Sequence, residues 1–158
     1  MKTVQHGKTD NIKILIVEDE IPLALLMVHV LSRAGCDVQF APNGEKGLKL
    51  VHERKFDLIA LEIYLPDING FSVCREVKQR HISRKTPVVF ISRSPCEEDR
   101  QRSLEAGAVD CINKPFEATD FVFRIISHAK AKGNPSDFPG QEPATGHLKS
   151  LQYAATHQ

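Results

Sequence analysis

Apolar residues in this chain fall into short uninterrupted runs, and between the runs they recur every three or four positions. Lys13-Ile14-Leu15-Ile16-Val17 is a β-branched run that ends in Glu18-Asp19-Glu20, which predicts a buried strand reaching an acidic edge. Leu23 to Ala34 reads as a helix, with Pro22 tolerated in its first turn and Gly35 closing it. Asp37-Val38-Gln39-Phe40-Ala41 alternates as a second strand. Pro42-Asn43-Gly44 turns the chain, and Glu45 to Glu53 repeats Leu48 and Val51 at helical spacing. Phe56 to Ile63 is apolar enough for a third strand buried on both faces. After Leu65-Pro66-Asp67-Ile68-Asn69-Gly70 the helical period returns over Phe71 to Gln79. Pro87 to Ile91 predicts a fourth buried strand, Glu97 to Ala106 a polar helix ended by Gly107, and Val109 to Ile112 a short fifth strand. Phe116 to Lys130 is the last helix. Phe121 and Phe123 cannot both face inward at that spacing, so one is expected at the surface.

Strands alternating with helices across short loops imply an α/β fold: a parallel sheet covered by helices on both faces. From Gly133 onward Pro135, Pro139, Gly140, Pro143 and Gly146 punctuate a polar stretch. Such a composition buries too little surface to offset the entropy of ordering it. The expected organisation is a flexible start over residues 1–11, one domain over 12–131 and a disordered tail over 132–158, with only a weak helical signal near Leu148 to Ala155.

Composition narrows the classes. A chain of 158 residues has room for one domain of ordinary size. Its formal charge of +1 gives no global field calling for nucleic acid or an anionic membrane. Cys36, Cys74, Cys96 and Cys111 form no CxxC pair, which argues against zinc and against a secreted disulfide scaffold. The first eleven residues lack the apolar core of a signal peptide, and Ile21 to Leu31, the longest apolar run, is too short to span a bilayer and suits a buried helix. A cytoplasmic location is expected.

In open parallel sheets, functional groups gather at the carboxyl ends of the strands. There the sequence places Glu18 and Asp19 after the first strand, Glu62 on the third, Ser92 on the fourth, and Lys114 before Pro115 after the fifth. Three converging carboxylates repel and call for a cation, with magnesium the natural candidate. A hydroxyl and an ammonium beside them suit the oxygens of a phosphoryl group, or of a carboxylate imitating one. Taken singly these residues are weak signals, since acids at strand ends are usually solvated loop charges. Glu62 differs: after Leu58-Ile59-Ala60-Leu61 its carboxylate lies at the rim of the core, where it must be paired or functional.

Ile14 to Glu20, Asp57 to Gly70, Thr86 to Ser92 and Glu105 to Phe116 together resemble the receiver domains of bacterial two-component response regulators, the CheY-like family, from about Ile12 to about Lys130. The resemblance implies a flavodoxin-like, doubly wound five-stranded sheet in the order 2-1-3-4-5. It also implies metal ligands at Glu18, Asp19, Glu62 and the Tyr64 backbone carbonyl, a phosphate pocket of Ser92 and Lys114, switch positions at Ser92 and Cys111, and a cis Lys114–Pro115 bond. Glu62 falls at the phospho-acceptor position, where the family has aspartate.

The departures lie on that same edge. The extra methylene of Glu62 moves its carboxylate by about a bond length toward Ser92 and Lys114, a misplacement that in-line phosphoryl transfer tolerates poorly. Arg93 follows Ser92 where the family has a small residue. It either folds over the phosphate pocket to pair with Glu62 or Glu18, or points to solvent. Cys111 replaces the family's aromatic switch residue and reads as a small buried apolar group, with a redox role the lesser alternative.

The expected function is a stand-alone receiver-like domain, not an enzyme, working by protein–protein contact in a two-component phosphorelay. Its partner would be a histidine kinase, a phosphotransfer protein or a downstream signalling protein. The face of the fourth helix, fifth strand and fifth helix is the expected docking surface, with the domain a monomer or weak homodimer through it. Magnesium binding is expected to be weak or absent. The alternatives are a conventional magnesium-dependent, phosphate-responsive regulator with a slow acceptor and, further off, a phosphotransfer or phosphatase enzyme on a similar sheet.

Overall fold

In the computed structural model, residues 11–93 and 97–131 are described. The expected tail over 132–158, all but Asn11 of the flexible start, and Cys96 lie outside the described residues. Ten elements alternate along the chain: β1 (Lys13–Val17), α1 (Ile21–Arg33), β2 (Asp37–Ala41), α2 (Gly44–Glu53), β3 (Leu58–Glu62), α3 (Gly70–Gln79), β4 (Val88–Ser92), α4 (Glu97–Glu105), β5 (Asp110–Asn113) and α5 (Ala118–Lys130). The strands form one sheet in the order β2-β1-β3-β4-β5, every neighbouring pair parallel.

The uninterrupted apolar runs follow from burial of the sheet on both faces. Leu15 and Val17 of β1 face a core that includes Leu48 and Val51 of α2, Phe71 and Val77 of α3 and Phe90 of β4. Ile14 and Ile16, one position out of phase, face a second core with Met27 and Leu31 of α1 and Phe121 and Ile125 of α5. Phe121 is fully buried and Phe123 is 63% exposed, as the spacing predicts.

Two expectations are corrected. The apolar stretch Ile21 to Leu31 is not a helix buried all round: Ala24, Met27 and Leu31 are buried, while Ile21, Leu25 and Leu26 are exposed on the opposite side of α1. The element ends also move by one or two residues. Helix α1 begins at Ile21, ahead of Pro22, and α5 begins at Ala118 rather than Phe116. Strands β4 and β5 extend to Ser92 and Asn113, because hydrogen bonding to neighbours rather than hydrophobicity decides where a strand stops.

Candidate functional site

Register brings the carboxyl ends together. Val17 pairs with Leu61, so Glu18, the next residue, emerges beside Glu62. Ser92 pairs with Asn113, and the Lys114 amide donates to the Ser92 carbonyl at 2.7 Å. The Lys114–Pro115 bond is cis. At the end of β3 the chain doubles back so tightly that a Cβ on Gly70 would fall on the Glu62 carbonyl oxygen and the Ile63 backbone, so only glycine fits.

Within this edge Lys114 is the central charge. Its Nζ donates to Glu18 Oε2 at 2.7 Å and to Glu62 Oε2 at 2.5 Å, with Glu20 Oε2 at 3.6 Å. The remaining oxygens of the two buried glutamates are also engaged. Glu18 Oε1 accepts from the Glu20 amide and Glu62 Oε1 from the Tyr64 amide, both at 3.0 Å. Lys114 and both carboxylates are almost wholly removed from water. Burial is the largest influence on Glu18 and pushes its carboxyl from an ordinary 4.5 up to about 7; Glu62 and Asp19 add repulsion, and Lys114 opposes the rise.

Other expected residues behave differently. Asp19 is exposed, one residue from Glu18 but facing solvent. Ser92 Oγ is buried and has no hydrogen-bond partner among the described residues, so the lengthened Glu62 meets Lys114 and not Ser92. Arg93 pairs with neither Glu62 nor Glu18: it forms an ion pair with Glu20, its own side chain largely exposed. Lys114 already engages the two buried acids, which leaves Glu20 at the rim as the nearest partner for the guanidinium. Cys111 is only partly covered, and burial raises its thiol pKa, which disfavours the reactive thiolate.

The side chains of Asp67 and Tyr64, to which the sequence assigns no role, complete the edge. Asp67 caps α2 from a distance: Oδ1 accepts from the Gly44 amide at 2.9 Å and Oδ2 from the Glu45 amide at 2.8 Å. Tyr64 donates its phenol to Asp99 Oδ2 on α4 at 2.8 Å. Both links span loops that lie apart in sequence, so no local pattern announces them; Glu20 was legible as part of the acidic run.

As arranged, Lys114 occupies the space between the carboxylates where a cation would lie. Every carboxylate oxygen of Glu18 and Glu62 accepts from an N–H donor, the ammonium of Lys114 stands between them, and no group of three or more His, Cys, Asp or Glu side chains converges to hold a metal among the described residues. Magnesium demands a near-octahedral oxygen shell and tolerates little distortion.

A doubly wound parallel sheet in the order 2-1-3-4-5, with the carboxylates at its carboxyl edge bridged by one lysine, is a flavodoxin-like α/β fold. Residues 14–126 match the response regulator receiver domain, and the chain belongs to that family. Among solved structures it is similar to a putative response regulator from Chloroflexus aurantiacus, at 28% identity and a TM-score of 0.73, with 76% of this chain and 98% of that one covered. A CheY-like receiver domain from Methanospirillum hungatei is 24% identical with a TM-score of 0.73, over 77% and 96% of the two chains. The receiver domain of a Pseudomonas aeruginosa sensor histidine kinase, with magnesium coordinated in its active-site cleft, is 23% identical with a TM-score of 0.71, over 76% and 98%. These last two show likeness of fold. No helix among the described residues is long and apolar enough to cross a membrane.

Proposed function

We propose that this receiver domain carries Glu62 at its phospho-acceptor position and is not phosphorylated there, acting in a two-component phosphorelay by protein–protein contact and without enzymatic activity of its own. One observation carries the reading: both oxygens of Glu62 are engaged, one by Lys114 and one by the Tyr64 amide. A carboxylate attacking phosphorus needs a free oxygen in line with the leaving group, and a displaced nucleophile costs orders of magnitude in rate. Magnesium, held by Glu18, Asp19, Glu62 and the Tyr64 carbonyl, would have to displace Lys114, so its binding is weak. The partner is a histidine kinase, a phosphotransfer protein or a downstream signalling protein. Leu104 on α4 and Phe123 on α5 are exposed, which supports the face of α4, β5 and α5 as the docking surface.

The Ser92 hydroxyl, buried and without a partner among the described residues, favours a second reading, a conventional phosphate-responsive regulator with a slow acceptor. Incubation with acetyl phosphate and magnesium followed by intact mass separates the two. The first reading expects no phosphoryl adduct on the wild type and an adduct on Glu62→Asp; an adduct that maps to Glu62 in the wild type establishes the second.

A further inference from the structure

Helix α4 is attached to the domain in an unusual way. Its sequence, Glu97-Glu98-Asp99-Arg100-Gln101-Arg102-Ser103-Leu104-Glu105, is polar but for Leu104, and from Asp99 to Glu105 the only buried residues are Asp99 and Ser103. Leu104, the one apolar side chain, is 49% exposed. No apolar side chain of this stretch enters the core; Ala106 and Ala108 anchor the chain just past its end, and along the helix itself the contacts are polar. Ser103 Oγ donates back to the Asp99 carbonyl at 2.6 Å, a bond inside the helix, and the same side chain also meets the Cys111 thiol of β5. Two further contacts among the described residues reach outward: the Arg102 guanidinium lies over the Phe71 ring of α3, 4.4 Å from its centroid, and the buried Asp99 carboxylate accepts from the Tyr64 phenol at 2.8 Å. Arg102 Nη1 is 3.8 Å from the other Asp99 oxygen, beyond hydrogen-bond reach. Tyr64 is therefore the short partner of a carboxylate that is 6% exposed and expensive to leave unpaired.

The same residue reaches the other way. The Tyr64 amide donates to Glu62 Oε1 at 3.0 Å, so the carboxylate at the end of β3 holds the backbone from which the phenol projects. Ser92 on β4 offers no competing side-chain route from this corner, because its hydroxyl bonds to nothing among the described residues. We propose that Tyr64 is the positioning residue that couples Glu62 to α4: its amide follows the Glu62 carboxylate, and its hydroxyl carries that position to Asp99. A helix held by exchangeable polar bonds is what such a link can move, whereas a helix packed into the core resists it. The coupling is a property of the domain alone and holds whether or not Glu62 accepts phosphate.

Amide hydrogen exchange on the full chain, without partner or phosphodonor, tests it. Tyr64→Phe keeps the ring and removes the hydroxyl; α4 amides are expected to exchange roughly tenfold faster while those of β1, β3 and β4 do not change, the loss of one hydrogen bond to a charged group. Asp99→Asn, which keeps an acceptor for the phenol, is expected to leave α4 closer to wild type than Tyr64→Phe does. The decisive comparison is Glu62→Gln, expected to alter α4 exchange in the wild-type background and to have no further effect on α4 in Tyr64→Phe. Unchanged α4 protection in Tyr64→Phe overturns the proposal, as does an equal response of α4 to Glu62→Gln in both backgrounds.

Discussion

At the scale of single residues, the site is governed by one ammonium shared between two buried carboxylates. Each carboxylate alone is costly to bury, and the pair is tolerable because Lys114 touches both. The Glu18 carboxyl, raised to about 7 from 4.5, keeps a proton in the folded state that the unfolded chain releases earlier. Its contribution to stability is therefore full below about pH 4.5 and lost as pH rises through 7, on the order of 3 kcal/mol at most. Urea unfolding is expected to show stability falling between pH 5 and 8, to the right of which the curve flattens, and Glu18→Gln is expected to remove most of that slope; a slope unchanged in the variant would place its origin elsewhere. The same geometry bears on divalent ions. Calorimetric titration with magnesium is expected to give at best roughly millimolar affinity for the wild type and tighter binding for Glu62→Asp, whose shorter side chain leaves more room for a hydrated ion. Equal or weaker binding by Glu62→Asp would mean that Glu62 is already a good ligand. Glu18, Glu62 and Lys114 were legible in the sequence because they end apolar runs, where a charge must have a partner. The direction of Arg93 was not: a long side chain at a rim takes whichever acid remains, and that choice is made by three-dimensional neighbours.

At the scale of elements, the strands were legible because a sheet covered on both faces needs apolar residues in unbroken runs, and helices α2, α3 and α5 because each presents one apolar stripe. Helix α1 was legible as a helix but not in which side it buries: Ile21, Leu25 and Leu26 extend its apolar character onto the solvent side, where hydrophobicity alone cannot separate burial from exposure. Contacts that join elements were not legible either. At the start of β5, Asp110 accepts from Arg124 Nε at 3.1 Å and Nη2 at 2.8 Å, and lies 2.8 Å from His128 Nε2, fastening α5 to the sheet. Burial raises the Asp110 carboxyl, but the bonds from His128 and Arg124 outweigh it and hold the group below its ordinary range. Its stabilising share is present above pH 3.8 and lost as pH falls below that, the opposite sign to Glu18. Asp110→Asn keeps the shape and removes the charge; it is expected to cost about 1.5–3 kcal/mol, read as a lower urea midpoint at pH 7. Asp67→Ala, which strips two amides at the start of α2, is expected to cost about 1 kcal/mol by the same measurement.

For the whole molecule, the question is whether the domain moves between two states or is held in one. A domain that switches on phosphorylation does so because new oxygens appear beside a lysine and a hydroxyl and both respond. In this chain the lysine is already occupied by Glu62, while the hydroxyl of Ser92 is buried and engaged by none of the described residues. Glu62 thus supplies two oxygens and one charge where a phosphoryl group supplies three oxygens and close to two charges, and it reaches one of the two partners. Lys114 is thus held by Glu62, whereas Ser92 is not. A ligand can shift an equilibrium only by its differential affinity for the two states, and one excluded from the edge by the Lys114 bridge shifts nothing. Beryllofluoride, which activates the receiver domain of the structural relative DrrB, serves as the probe. The amide spectrum of the wild type is expected to be unchanged by beryllofluoride with magnesium. Glu62→Asp is expected to respond along β4 and the loop after it, where a freed Lys114 and Ser92 can both take hold of the fluorides. A wild-type spectrum that moves as far as that of Glu62→Asp would show that the lysine bridge opens readily and that the domain still switches.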